Sequence, residues 1–158
     1  MIKVFIIILF LFFNSCSTFK KEIVQCPNLI APKKAAEIIV KSENKVPVYL
    51  GFRGVKTFCS RIDEGIQMEL SVNIRAIRID TTKEDYVPVN IAVVSVDTNE
   101  KEFDRDDFNY SQFLLKDSKI VDRETTFNIK VPIGGQVILG IKWLFYNSRF
   151  NFIWWFRN

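Results

Sequence analysis

The chain has no histidine. That removes the commonest general base and the commonest metal ligand. It argues against Ser-His and Cys-His nucleophile systems and against most zinc sites. At 158 residues there is too little chain for a two-domain enzyme or a (β/α)₈ barrel. Neither sign of charge dominates. The balance is 22 basic to 18 acidic residues, a net +4, and this calls for no nucleic acid or other polyanion as partner. The motifs G-x-S-x-G, H-E-x-x-H, G-x-G-x-x-G and the P-loop are all missing. Asp63 and Glu64 are adjacent carboxylates, but in a turn such a pair is solvated. A Ser-Lys dyad needs no histidine and is the one nucleophile system that the composition leaves open. The expectation is a protein that is not an enzyme and takes no cofactor. No long amphipathic helix pattern and no internal repeat are visible.

What is present begins at the N-terminus. Residues 4–13 are ten apolar residues in succession behind Lys3. That length suits the core of a signal peptide and falls well short of the ~20 residues of a spanning helix. Asn14 and Ser15 then lead to Cys16. An apolar run, a small residue and a Cys form a bacterial lipobox, although Phe13-Asn14 departs from the Leu-Ala-Gly-Cys style at two positions. The thiol of Cys16 would take a diacylglycerol, and cleavage would free its amine for a further acyl chain. Two or three chains, at about 0.8 kcal/mol per buried CH₂, anchor far more firmly than one. Residues 1–15 are therefore expected to be a signal helix that is removed, and residues 16–25 a tether. Without the signal the side-chain charge is +3 and the hydrophobic fraction is ordinary for a globular domain. Ser17 at the second mature position is permissive for the outer membrane. The expected location is the cell envelope, on the periplasmic side of the outer membrane.

Three cysteines then divide into one for lipid and two for each other. Cys26 and Cys59 form an even pair in an oxidising compartment, which reads as one disulfide. No further soft ligand stands near in sequence to make a metal site, so the expected metal set is none.

From residue 46 onward the pattern is that of strands. Residues 46–59 alternate, with Gly51 and Gly54 allowing a bulge near Arg53. Residues 61–65 (RIDEG) make a turn. Residues 66–76 place Ile66, Met68, Leu70, Val72, Ile74 and Ala76 on one face and polar residues on the other, a half-buried antiparallel strand. A change of phase at Ile77 and Ile79 suggests a second bulge. Residues 88–96 are continuously apolar and predict a central strand. Residues 97–100 predict a turn and a short strand around Phe103. Residues 120–132, with Phe127, Ile129 and Val131 inward, and residues 136–143 complete the set around the Gly134-Gly135 turn. Residues 33–41 fit a short helix or a strand. The expected fold is all-β: an immunoglobulin-like antiparallel β-sandwich of about seven strands over residues 26–142. A closed barrel is its rival.

Two charged or aromatic stretches are candidate sites. Residues 97–107 hold six carboxylates against Lys101 and Arg105. Asp104, Asp106, Asp107 and Asn109 offer oxygens to Ca²⁺. Counted from Asp104, however, the places that an EF-hand gives to Gly and Glu hold Asn109 and Leu115. A solvated hairpin rim that shields an edge strand is the plainer reading. Residues 143–158 (WLFYNSRFNFIWWFRN) carry eight of the 18 aromatics that follow the signal. The segment is too short and too polar to span a bilayer. Trp143, Tyr146, Phe150, Trp154 and Trp155 are candidate contacts to the membrane interface or to a partner. The segment equally fits a plug folded back onto the open end of the sandwich.

With these residues in hand, the chain resembles a family of small uncharacterised lipoproteins of alphaproteobacterial type. The matching features are Cys16, Cys26-Pro27, Cys59, Asp63-Glu64-Gly65, the strand from Ile66, residues 88–96 and Leu139-Gly140-Ile141. The Trp-rich tail departs from that family's more polar end. The resemblance implies a lipid-bearing Cys16 and no activity. The function expected is a lipid-anchored β-sandwich that acts by interaction with an envelope protein, as an accessory in envelope assembly or maintenance. The other class kept open is a lipoprotein binding a small ligand or a divalent metal.

Overall fold

Alternating apolar residues can be half buried only if a second layer covers one face, and two sheets meet that need by covering each other. The computed structural model describes residues 22–142. Eight strands and one helical turn follow in order: β1 (Asn28–Ile30), α1 (Lys33–Ala36), β2 (Glu37–Lys41), β3 (Pro47–Ile62), β4 (Gly65–Arg78), β5 (Asp85–Val96), β6 (Glu102–Leu114), β7 (Ile120–Val131) and β8 (Gln136–Ile141). They form an all-β sandwich of two four-stranded sheets. Sheet I has the order β2-β3-β4-β7, and sheet II has the order β1-β8-β5-β6. All pairings are antiparallel except that of β1 with β8.

The core lies between the sheets. Val48, Leu50, Met68, Leu70, Val72, Phe127 and Ile129 from sheet I meet Val87, Val89, Ile91, Val93, Leu139 and Ile141 from sheet II, all fully or nearly fully buried. The long alternating segment forms β4 as expected. The bulge near Arg53 is present as a register shift between Phe52 and Gly54. It lets Val55 face inward opposite Val72 after Phe52 has faced inward opposite Ile74. Gly65 and Gly134 have positive φ, +146° and +76°. At Gly65 a Cβ would come within 2.3 Å of the Val131 carbonyl, so the β3–β4 turn needs glycine there.

Four details differ from the sequence expectation. The described residues form eight strands where about seven were expected, because residues 28–30 form β1 in addition to β2, which follows a helical turn within residues 33–41. The second bulge does not form: β4 keeps its register to Arg78, which pairs with Val48. Ile77 faces outward and Arg78 takes the inward position. The strand around Phe103 is not short but spans thirteen residues as β6. Last, residues 22–24, placed in the tether, run along the end of β3. Val24 N–H donates to the Cys59 carbonyl, Arg61 N–H donates to the Glu22 carbonyl, and Ile23 bridges Ser60.

Candidate interaction surface

The two ends of the sandwich are unlike. At one end lie the β3–β4 turn, the β5–β6 turn, the β7–β8 turn and the point where Glu22 joins β3. Here Cys26 and Cys59 form a disulfide with Cα atoms 5.3 Å apart, tying the segment before β1 of sheet II to β3 of sheet I. The bridge matches the expectation from the cysteine count. Cys16, Trp143, Tyr146, Phe150, Trp154 and Trp155 lie outside the described residues.

The acidic stretch has a structural task. Only residues 97–100 form the turn, and the rest of the stretch is the first half of β6, an edge strand. Edge strand β7 of sheet I runs beside it, with outward N–H groups that need acceptors. Asp104 Oδ2 accepts from Lys130 N–H at 2.8 Å, and Asp106 Oδ2 accepts from Asn128 N–H at 3.2 Å. Ser95 Oγ donates to the Lys130 carbonyl at 2.6 Å. Asp107 pairs with Lys142 Nζ at 2.7 Å. Further along the same seam Phe108 packs edge-on to Phe127, and the Arg123 guanidinium sits 4.2 Å from the Tyr110 ring centre. Carboxylates thus close one side of the sandwich. They do not converge on a common point: among the described residues no three His, Cys, Asp or Glu side chains gather to hold a metal ion.

The outer face of sheet I carries a different feature. Register places Ile39 opposite Tyr49, Tyr49 opposite Ile77, and Ile77 opposite Ile120. Four apolar side chains therefore line up across all four strands, on the side that faces away from the core. Ile39 is 63% exposed and Ile120 is 47% exposed. The next row is polar: Glu37, Gly51, Arg75 and Asp122. Gly51 leaves a gap in that row. The Tyr49 ring leans over it, so that a Cβ at Gly51 would stand 2.9 Å from the Tyr49 hydroxyl. That hydroxyl donates to Glu37 at 2.5 Å, and the bond raises the phenol's pKa. Arg75 makes a two-pronged pair with Asp122 at 2.7 and 2.6 Å. The pairing holds the Asp122 carboxyl below the usual range and raises the guanidinium. Between the two rows is an open cleft of about 400 Å³, lined by Tyr49, Gly51, Phe52, Arg53, Arg75 and Ile77.

Sequence reasoning missed this surface, because its four apolar residues come from four separate strands and meet only once the register is known. One signal was available. The phase change at Ile77 marks an apolar residue kept on the polar face of an otherwise strictly alternating strand.

The chain matches no protein-family model, no curated protein and no solved structure.

Proposed function

We propose that the chain is a lipoprotein of the bacterial envelope, anchored through Cys16 on the periplasmic side of the outer membrane, and that it binds an envelope protein through the outer face of sheet I. The likeness to small lipoproteins of alphaproteobacterial type belongs to the same proposal. The observation that carries the binding role is the aligned row Ile39, Tyr49, Ile77 and Ile120 beside the cleft at Gly51. Exposed apolar side chains in a contiguous row favour a partner over water. Exposed Arg53 at the cleft, beside the paired Arg75 and Asp122, suits a partner segment that sets a carboxylate next to an apolar side chain. The row lies at the end of the sheet remote from Glu22, the described residue nearest the lipid. An anchor at Cys16 would leave it facing away from the membrane.

Site-specific photocrosslinking in intact cells tests the reading. A crosslinker at Ile77 or Ile39 should give a discrete adduct with one envelope protein, and the same group at Thr126, toward the other end of that face, should give none. Equal labelling at all three positions would refute the binding surface. Palmitate labelling lost in Cys16→Ser tests the anchor separately. The rival reading is a small ligand held in the same cleft. It predicts calorimetric binding by the purified domain, weakened by Arg75→Gln. The divalent-metal form of that rival has less support, since Asp104 and Asp106 are occupied by the backbone of β7.

A further inference from the structure

The edge strands of the two described sheets are protected unequally. In sheet I, the edge β7 has outward N–H groups taken by Asp104 and Asp106 of β6. In sheet II, the edge β6 carries charges along its first half. The edge β1 is three residues long and lies between Pro27 and Pro32. Short, charged or covered edges resist pairing with another chain. The edge β2 is different. Its five residues, Glu37–Lys41, pair with β3 without a bulge and include no proline, and charge stands only at the two ends, around Ile38, Ile39 and Val40.

Register fixes which backbone groups of β2 point away from its sheet. Ser42 N–H donates to the Val46 carbonyl at 2.9 Å, which continues the β2–β3 ladder by one pair. Pairs in an antiparallel ladder alternate between bonded and unbonded. Ile38 and Val40 therefore bond to β3, and Glu37, Ile39 and Lys41 turn their N–H and C=O groups outward. Among the described residues no hydrogen bond reaches those outward groups. All three residues are exposed, Ile39 to 63%. The open stretch is bounded by α1 before it and by Glu43 after it, whose N–H donates to the Tyr86 carbonyl at 2.9 Å.

We propose that a second copy of this chain pairs with β2, antiparallel and centred on Ile39, so that the two copies share one continuous sheet. Outward-facing residues must then stand opposite each other and exchange two backbone hydrogen bonds per pair. Centred on Ile39, the sequence Glu-Ile-Ile-Val-Lys is complementary to itself. Glu37 meets Lys41 of the second copy, Lys41 meets its Glu37, and Ile39 meets its Ile39. Opposite charges across a strand pair stabilise it, and like charges oppose it. Centred on Val40 instead, Glu37 would meet Glu43, and centred on Ile38 it would meet Ile39. The Tyr49 hydroxyl holds Oε2 of Glu37, which leaves the other carboxylate oxygen for a lysine. Lys41 has no ion pair among the described residues. The row Ile39, Tyr49, Ile77 and Ile120 continues across the two-fold axis into the same row of the second copy. That axis is normal to sheet I. Anchors on both copies reach one membrane when it is also normal to the bilayer, with sheet II toward the lipid and the row turned away. This interface is separate from the envelope partner proposed for that face and does not depend on it.

Sedimentation velocity of the full chain in mild detergent, over a range of protein concentrations, tests the pairing. The wild type should pass from monomer to dimer as concentration rises. Ile39→Pro removes an outward N–H and no bond to β3, so the dimer should be lost while the β-sheet circular dichroism is kept. Glu37→Lys or Lys41→Glu alone should raise the dissociation constant about tenfold or more. The double variant should return it to within about threefold of the wild type, because both charge pairs are restored in reverse. That rescue belongs to this register and does not require the proline variant to fold. A wild type that stays monomeric at every concentration would overturn the proposal. So would a dimer that survives Ile39→Pro with its sheet intact, or a double variant no tighter than the single ones. A monomer whose Ile77 adduct with an envelope protein is lost in Ile39→Pro would give the edge to a strand of that protein instead. A dimer without any Ile77 adduct would uphold the pairing and refute only the envelope partner, since Ile39 stands at the axis and Ile77 lies two strands away.

Discussion

Arg78 is the residue whose replacement tests the packing logic most directly. Its side chain is 3% exposed, at the inward end of β4. Nη1 donates to the Lys83 carbonyl at 2.7 Å, Nε donates to the Ser118 carbonyl at 3.0 Å, and Nη2 donates to the Leu115 carbonyl. Those acceptors belong to two loops, β4–β5 and β6–β7, that leave the same end of the sandwich. A planar guanidinium with a fixed fork of donors can join three carbonyls at once, whereas an ammonium on a flexible stem holds fewer in place. A hydrogen bond with one charged partner contributes about 1.5–3 kcal/mol. Arg78→Met keeps most of the stem's volume and removes all three bonds. The loop carbonyls regain some water at this end, and the desolvation of a buried charge is no longer needed, so the sum is discounted. The expected loss is about 2–4 kcal/mol for Arg78→Met and about 1–2 kcal/mol for Arg78→Lys.

Urea unfolding of the domain, with the slope held common, gives these differences from the midpoints. Hydrogen exchange adds a localised readout: amides of residues 79–84 and 115–119 should exchange faster in Arg78→Met, while those of β3 and β4 near the disulfide keep their relative protection. A loss below about 0.5 kcal/mol, within the range of an ordinary surface change, would refute the claim that one side chain fastens both loops. So would equal costs for Met and Lys, because the argument rests on the fork and not on the charge.

Three further outcomes are expected. Cys26→Ser opens a loop of 33 residues, and the chain-entropy relation then gives a loss of about 3–4 kcal/mol; the check is the urea midpoint together with the loss of the mobility difference between reduced and oxidised protein. Asp85 is buried, which by itself would raise its pKa, but hydrogen bonds from the Ser42 side chain, the Tyr86 and Asn44 amides and the Asn44 side chain outweigh burial and hold it below the ordinary value. A depressed folded-state pKa means stability that is full above the unfolded value near 3.9 and is lost as pH falls through the folded value. Asp85→Asn should therefore lower the unfolding midpoint at pH 7 and flatten its fall below about pH 4, and an unchanged acid limb would contradict the assignment. In the double variant Asp104→Ala, Asp106→Ala, the Lys130 and Asn128 amides lose their acceptors. The expected result is about 1–3 kcal/mol less stability and a growth of light scattering as the bared β7 edge pairs between molecules; a monodisperse double variant would show that the carboxylates do not guard the edge.

The parts of this fold that were legible in the sequence are those decided locally. Period-two alternation fixed the inward face of β4, because a slip of one residue would have put Met68 and Leu70 in water. Turn chemistry marked Gly65 and Gly134, and the even cysteine pair pointed to the bridge. What was not legible needed a partner strand. The acidic run looked like a solvated rim until β7 was found beside β6, and then its carboxylates became acceptors for a neighbouring backbone. Ile77 looked like a bulge, since an isolated apolar residue out of phase has two explanations: a backbone irregularity, or a surface that something else covers. Around Ile77 the register of β4 is unbroken, with β3 from Ile74 to Arg78 and with β7 from Ile66 to Ile77, which excludes the first. The same reasoning applies to β5, where a continuous apolar run was read as centrality within one sheet. Centrality accounts for buried edges, but it does not account for Val94 and Val96 being buried on the outer face. A strand that is apolar on both sides needs a layer on each side. For β5 one of those layers is sheet I, and on its other side Arg105 of β6 stands opposite Val94.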